Sequence, residues 1–286
     1  MSNSTLIESQ PRASEETLVL KPTKGWISLN LKDLWRYREL VYFLVWRDIL
    51  VRYKQTLLGA AWAIFQPLMQ MVIFNFLFGN MANIATGEIP RPIFTFSALL
   101  PWNLFSKAII DASNSLVANR NMITKVYFPR LVVPLSSVLS GVVDFLIAFV
   151  ILVGMMVYYQ VAVPVTVWLV PALILLALTL ALGVGLWFSA WNLHYRDVRY
   201  LIPFLSQFWM LASPIAYPLS EIPAQWQTLY MLNPMVGVVE GFRWALLGGG
   251  DLPQTALLIS VGISLAVLIA GLYYFRRMER TFADTV

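Results

Sequence analysis

Apolar residues gather along this chain into runs near twenty positions long, divided by short polar stretches. About twenty apolar residues in a helix, rising ~1.5 Å each, cross a hydrocarbon core roughly 30 Å thick. The pattern predicts six spans: Leu57 to Gly79, Ile93 to Ala118, Leu131 to Tyr159, Val165 to Trp191, Tyr200 to Pro218 and Thr255 to Phe275. Lipid offers backbone groups no hydrogen-bond partner, so such runs fold as helices. The expected fold class is an all-α integral membrane protein. Composition agrees: 59% of residues are hydrophobic and 12% charged, where soluble domains carry about 25% charged residues.

The second run contains Lys107 and Asp111, so its crossing needs separate support. Short cytoplasmic loops collect Lys and Arg. Nine basic residues precede Leu57; Arg120, Lys125 and Arg130 lie in the 119–130 loop, Arg196 and Arg199 in the 192–199 loop, and Arg276, Arg277 and Arg280 in the tail. The alternate loops hold only Arg91 and Arg243. Six crossings with both termini cytosolic put almost every cation on one side. Without the second span, the basic 119–130 loop would lie outside.

Four regions follow: a polar cytosolic tail over 1–28, an interfacial amphipathic helix over 29–56, a six-span domain over 57–275 and a cytosolic C-terminal tail over 276–286. In the second region Asn30 and Asp33 form an N-cap pattern, and Lys32, Arg36 and Glu39 lie opposite Leu34, Tyr37 and Val41. Its apolar run Leu40 to Trp46 is too short to span, which suits a surface anchor or a gate at a channel entrance. The segment from Leu219 to Gln254 is too apolar for a free outer loop. Punctuated by Pro223, Asn233-Pro234 and Gly248-Gly249-Gly250, it is expected to form two re-entrant helices at a pore mouth, with Asp251 and Pro253 starting the last span.

Polar side chains at membrane depth face a protein interior or a cavity. Trp62, Gln66, Gln70 and Phe74 recur every four residues on one face of the first span; Ser206, Trp209, Ser213 and Tyr217 form a similar face on the fifth. Rings that stack on sugar C–H faces, with amides and hydroxyls that pair with sugar hydroxyls, suit a glycan channel. Helix packing is the alternative use of the same residues. Lys107 and Asp111, four apart, are expected to neutralise each other as an intramembrane ion pair. Asp144 has no evident partner, leaving a proton site or a bond to a neighbouring helix.

The chain has no cysteine and one histidine, His194, which excludes disulfides, thiolate metal sites and multi-histidine metal sites. It also lacks a GxxxxGK[ST] phosphate loop, so it does not hydrolyse ATP alone. Active transport then needs a gradient or a separate ATPase docked on the cytosolic loops. Two loops suit docking. In 119–130, Arg120, Lys125 and Arg130 accompany Tyr127, Phe128 and Pro129; in 192–199, Tyr195, Arg196 and Asp197 are compact and charged. Positive-inside anchoring explains their charge but not exposed Tyr127, Phe128 and Tyr195.

Several of these pieces together resemble the permease subunits of polysaccharide ABC exporters of the O-antigen, capsule and teichoic-acid type. They are Trp46-Arg-Asp-Ile-Leu-Val-Arg-Tyr-Lys54, Leu58-Gly-Ala-Ala-Trp-Ala-Ile-Phe-Gln-Pro67, Asn121 to Arg130, Tyr195-Arg-Asp197, Asn233-Pro-Met235, Glu240-Gly-Phe-Arg243 and Phe275-Arg-Arg-Met-Glu-Arg280. The resemblance implies a homodimer joined to two copies of a cytosolic ABC ATPase and exporting undecaprenyl-linked polysaccharide across a bacterial inner membrane. ATP and magnesium would sit on the ATPase subunit, with no cofactor in this chain. Lipid-linked polysaccharide and membrane lipids are the other expected partners, and nucleic acid is not one. It also implies that Asn233, Pro234, Glu240 and Arg243 belong to an external gate, and that the two loops couple to the ATPase. Teichoic acid, a drug or a small lipid are alternative cargoes. A polyprenyl-dependent membrane transferase is the competing class, which needs His and acids clustered near one membrane face; here Asp111 and Asp144 are scattered and His194 stands alone.

Overall fold

The computed structural model describes residues 31–54, 59–82, 89–248, 252–279 and 282. The predicted tail 1–28, the Asn30 cap, the start of the first span at Leu57, Gly249, Gly250, Asp251 and Arg280 lie outside the described residues. The described residues form eleven α-helices and no strand: α1 (Leu31–Arg36), α2 (Arg38–Lys54), α3 (Gly59–Phe74), α4 (Arg91–Ala118), α5 (Arg120–Lys125), α6 (Val132–Tyr158), α7 (Val170–His194), α8 (Val198–Leu211), α9 (Ala224–Met231), α10 (Pro234–Leu247) and α11 (Gln254–Glu279). A π-helical stretch over Asn75–Met81 carries α3 onward, and a 3-10 turn over Val165–Leu169 leads into α7.

Five helical segments are long and apolar enough to cross a membrane: Ala61–Met81, Arg91–Ala118, Val132–Tyr158, Val165–His194 and Gln254–Glu279. This is an all-α, multi-span membrane protein. The expected fifth span differs from its prediction. Val198–Leu211 has 14 residues, ~21 Å of helix, and the chain from Ala212 to Tyr217 continues in bends. Pro214 and Pro218 lack the N–H that would extend the ladder, which accounts for the early stop.

The span carrying Lys107 and Asp111 is the central one. In its most apolar window 78% of residues are buried, against 11% for the first span and 22% for the last. Trp102, Phe96, Phe105 and Leu99 of α4 are fully enclosed, packed by α6, α7, α8 and α10. Burial by protein on most sides is what lets a helix carry charges at this depth. The contact between α7 and α11 depends on absent side chains. A methyl at Gly183 would meet the backbone of Leu268 at 2.7 Å, and one at Gly271 would strike the Gly183 carbonyl. Small residues are how helices in lipid, lacking a hydrophobic drive, come close enough for dispersion to hold them.

A second apolar cluster lies apart from the main core. It joins Leu44 of α2, Leu116 of α4, Ile123 and Phe128 of the 119–130 loop, Leu131 to Val133 at the start of α6, Leu186 and Ala190 of α7, and Phe275 and Phe282 at the C-terminal end.

Candidate transport cavity and its surrounding loops

Four helices, α3, α4, α6 and α8, enclose a cavity of about 580 Å³. Trp62, Gln66 and Gln70 enter it from α3; Trp102, Asn103, Ser106 and Lys107 from α4; Asp144 from α6; and Ser206 and Gln207 from α8. The walls are tied across helices. Asn103 Nδ2 donates to Gln70 Oε1 at 3.0 Å, and the Ser106 and Ser206 hydroxyls lie 2.6 Å apart. Amides and hydroxyls so placed still have spare lone pairs and protons for a guest.

The two expected stripes therefore divide. Trp62, Gln66, Gln70 and Ser206 line the cavity, whereas Phe74, Trp209, Ser213 and Tyr217 do not. Phe74 is buried and stacks with Phe78 at 5.7 Å. Trp209 packs edge-on against Phe105 at 4.9 Å and donates its indole N–H to Asn233 Oδ1 at 2.8 Å. The Ser213 hydroxyl donates to the Trp209 carbonyl, and the Tyr217 and Tyr230 hydroxyls meet at 2.9 Å. Burial raises the Tyr230 phenol well above its usual range, so it stays protonated.

Charge at the cavity edge is arranged differently from the expected local pair. Lys107 Nζ lies 2.6 Å from Asp144 Oδ2 rather than on Asp111. Arg52 of α2 bridges both acids, with Nη2 2.9 Å from Asp111 and Nη1 2.6 Å from Asp144. The Tyr53 hydroxyl also donates to Asp144. Burial foremost, and then that carboxylate, holds the Tyr53 phenol above its ordinary range, so it remains a donor. Asp144 is thus the hub of a cluster joining α2, α4 and α6. Sequence spacing missed it because its partners lie 37 and about ninety residues away. The signal available was the unmatched Asp144 in an apolar run together with the basic residues just before the first span.

On the basic loops, Arg120, Lys125, Tyr127, Tyr195, Arg196 and Asp197 are exposed. Tyr127 is 70% and Tyr195 69% exposed. Phe128 corrects the expectation: it is 5% exposed, packed in the second apolar cluster. Pro129 and Arg130 are half-buried, and the Arg130 guanidinium donates to the Glu279 carbonyl. Asn192, at the start of the second loop, is buried and donates to the Ser113 carbonyl at 2.9 Å and Asn114 Oδ1 at 3.0 Å. It is a link from α7 to α4.

At the opposite end of the bundle, the short helix α9 leads through Leu232 and Asn233 into the buried α10. Asn233 caps α10, accepting from the Met235 N–H at 3.0 Å while its Nδ2 donates to the Ala212 carbonyl and Ser213 Oγ. Pro234 occupies the first helical turn, where a missing N–H costs nothing. Arg243 donates to Glu240 Oε1 at 2.9 Å and the Pro214 carbonyl at 2.6 Å, and stacks over the Phe94 ring at 3.7 Å. Glu240 accepts from the Leu219 N–H at 3.1 Å. Among the described residues, no group of three or more His, Asp or Glu could hold a metal ion.

The family model for ABC-2 type transporters matches residues 39–247, from α2 through α10. The chain belongs to the ABC-2 type transporter family. Two "O-antigen export system permease protein RfbA" relatives are similar to this ABC-2 type chain along nearly its whole length. That of Myxococcus xanthus is 29% identical over 260 residues, covering 90% of this chain and 98% of that protein. That of Klebsiella pneumoniae is 28% identical over 249 residues, covering 86% and 94%. The "Polysialic acid transport protein KpsM" of Escherichia coli is 25% identical over 238 residues, covering 82% and 91%. The chain is accordingly a permease-type component of an ABC transporter, homologous to polysaccharide-export permeases.

Proposed function

We propose that this chain is the channel-forming permease subunit of an ABC exporter that moves undecaprenyl-linked cell-surface polysaccharide, O-antigen-like, across a bacterial inner membrane. Two copies form the channel, and two copies of a cytosolic ABC ATPase carry the ATP and magnesium. The observation that carries this reading is the cavity, where the exposed Trp62 ring stands among Gln66, Gln70, Asn103, Ser106, Ser206 and Gln207. Aromatic faces bind sugar C–H surfaces, while amides and hydroxyls exchange sugar–water for sugar–protein hydrogen bonds at little net cost. Many such contacts of modest strength let a long chain slide rather than stick.

The topology that fits is six crossings with both termini cytosolic. Short α8 and the bent segment after it make the fifth crossing, and α9 and α10 form the re-entrant outer hairpin. The exposed Tyr127, Tyr195 and Arg196 then face the cytosol as contacts for the ATPase, with α2 lying at the cytosolic channel entrance. The names of the relatives favour a glycan over a drug or small lipid as cargo.

The test is deletion and complementation in the source organism. Loss of the chain should remove the long glycan from the cell surface while lipid-linked glycan accumulates inside, and the intact chain should restore export. Unchanged surface glycan after deletion rejects the cargo assignment. In proteoliposomes, ATP turnover should appear only when the ATPase subunit is present; turnover by the permease alone rejects the subunit assignment.

A further inference from the structure

The C-terminal end of the chain reaches back to the loop proposed to meet the ATPase. Arg130 closes that loop, immediately before α6. Its backbone N–H donates to Glu279 Oε1 at 3.2 Å, and its guanidinium donates to the Glu279 carbonyl, across 149 residues of sequence. The other carboxylate oxygen of Glu279 takes Arg276 Nη1 at 2.9 Å, so both oxygens are engaged. Leu131, at the N-cap position of α6, offers no side-chain cap. A carboxylate brought there from α11 supplies negative charge at the positive end of the helix, where it is stabilising.

Phe282 adds an apolar half to the same contact. It is fully buried, meets the Phe275 ring edge-on at 5.3 Å, and lies under the Arg130 guanidinium at 5.8 Å. Ile123 and Phe128 of the loop share the cluster that encloses it. The loop therefore alternates by necessity, with Phe128 held inward and Tyr127 presented outward.

We propose that Glu279 and Phe282 form a C-terminal strap that sets the shape of loop 119–130, making them positioning residues for nucleotide-driven transport. The coupling role rests on the reading that this loop receives the ATPase. Arg130 is then an anchor for the strap, its guanidinium committed to the tail. Loss of the strap frees the loop from the bundle, so that motion of an ATPase bound to Tyr127 no longer reaches α6.

The chain contains no cysteine, so a single introduced thiol reports on one position. The full chain, with its ATPase subunit, carries either Ile123→Cys, a buried reporter in the loop, or Tyr127→Cys, an exposed one. Each is probed with a membrane-impermeant maleimide on inside-out vesicles. Glu279→Ala and Phe282→Ala should each raise labelling at position 123 roughly tenfold by opening the loop locally. Glu279→Gln, which keeps an acceptor for the Arg130 N–H, should restore most of the protection. In the same vesicles glycan exported per ATP hydrolysed should fall while the bound ATPase stays at its normal level. Position 123 remaining protected in both alanine variants overturns the strap. If the ATPase fails to shield position 127 while position 123 depends on the strap, the docking reading fails instead, and the coupling role fails with it.

Discussion

Arg243 and Arg52 are both enclosed arginines with carboxylate partners, placed at opposite ends of the bundle. Arg243 is 5% exposed and finds Glu240 one turn away on its own helix, with backbone carbonyls and the Phe94 ring completing the site. Its hydrogen-bond partners are backbone carbonyls or belong to α10 itself, which leaves the guanidinium few alternatives. The Arg52 side chain is 23% exposed and reaches acids on two different helices, one of which also holds Lys107 at the cavity edge. Here Arg52 and Asp144 each hold more than one partner, so one contact can loosen while another persists. The Arg243 site is a latch closed within one helix and its adjoining backbone; the Arg52 cluster spans three helices, so a shift of α2 relative to α4 and α6 need not break every contact at once.

The largest effect should come from Arg243→Ala. It strands the Glu240 carboxylate and leaves the Pro214 carbonyl without its donor, and removing one member of a buried pair costs ~3–5 kcal/mol. Thermal unfolding in detergent should show a clear drop, with little folded protein recovered. Arg243→Lys should recover only part of this, because an ammonium cannot both stack on Phe94 and fork between Glu240 and a carbonyl. Stability equal to the parent in the alanine variant would remove the contrast between the two sites.

Arg52→Ala should be milder in stability and severe in transport. Lys107 still neutralises Asp144, and part of the site is open to water, so a loss of roughly 1–3 kcal/mol is expected. Folded protein should be recovered, while glycan export falls sharply because α2 loses its anchor beside the cavity. A stability loss matching Arg243→Ala, with export per folded complex unchanged, would make the Arg52 cluster a second static latch.

These two sites also separate what sequence made legible from what it did not. Hydrophobic length located the long spans to within a few residues, since bilayer thickness constrains each run independently of its neighbours. The helix of the fifth expected span stops at Leu211, short of Pro218, because Pro214 and Pro218 outweigh apolar character. Spacing of four paired Lys107 with Asp111, the nearest candidate on one helix, but Arg52 and Asp144 come from elements that only the tertiary fold brings together. Of the two expected stripes, Trp62, Gln66, Gln70 and Ser206 border the cavity. Phe74, Trp209, Ser213 and Tyr217 do not, because one helix face passes from cavity wall to packing contact along its length. The expectation of an exposed Phe128 fell for a related reason: its neighbour Tyr127 is exposed, and only the tertiary cluster that also holds Phe275 and Phe282 takes one ring inward.

The smallest stability change should follow Trp62→Ala, and it sharpens the contrast most. Trp62 is 55% exposed and borders the cavity, touching Phe65 edge-on at 5.8 Å. Truncating an exposed ring leaves no enclosed void and no stranded polar group, so stability should stay within ~0.5 kcal/mol of the parent. Export should nevertheless slow several-fold, about what losing one stacking contact of roughly 1 kcal/mol at each step of a sliding chain produces. Gln66→Ala should behave likewise, with a lesser slowing, since water can replace one amide contact with a sugar hydroxyl. ATP turnover with the ATPase subunit bound should continue in both variants, which separates a cavity defect from a docking defect. Export at the parental rate in both would mean that this face of α3 serves helix packing, and that the glycan passes elsewhere.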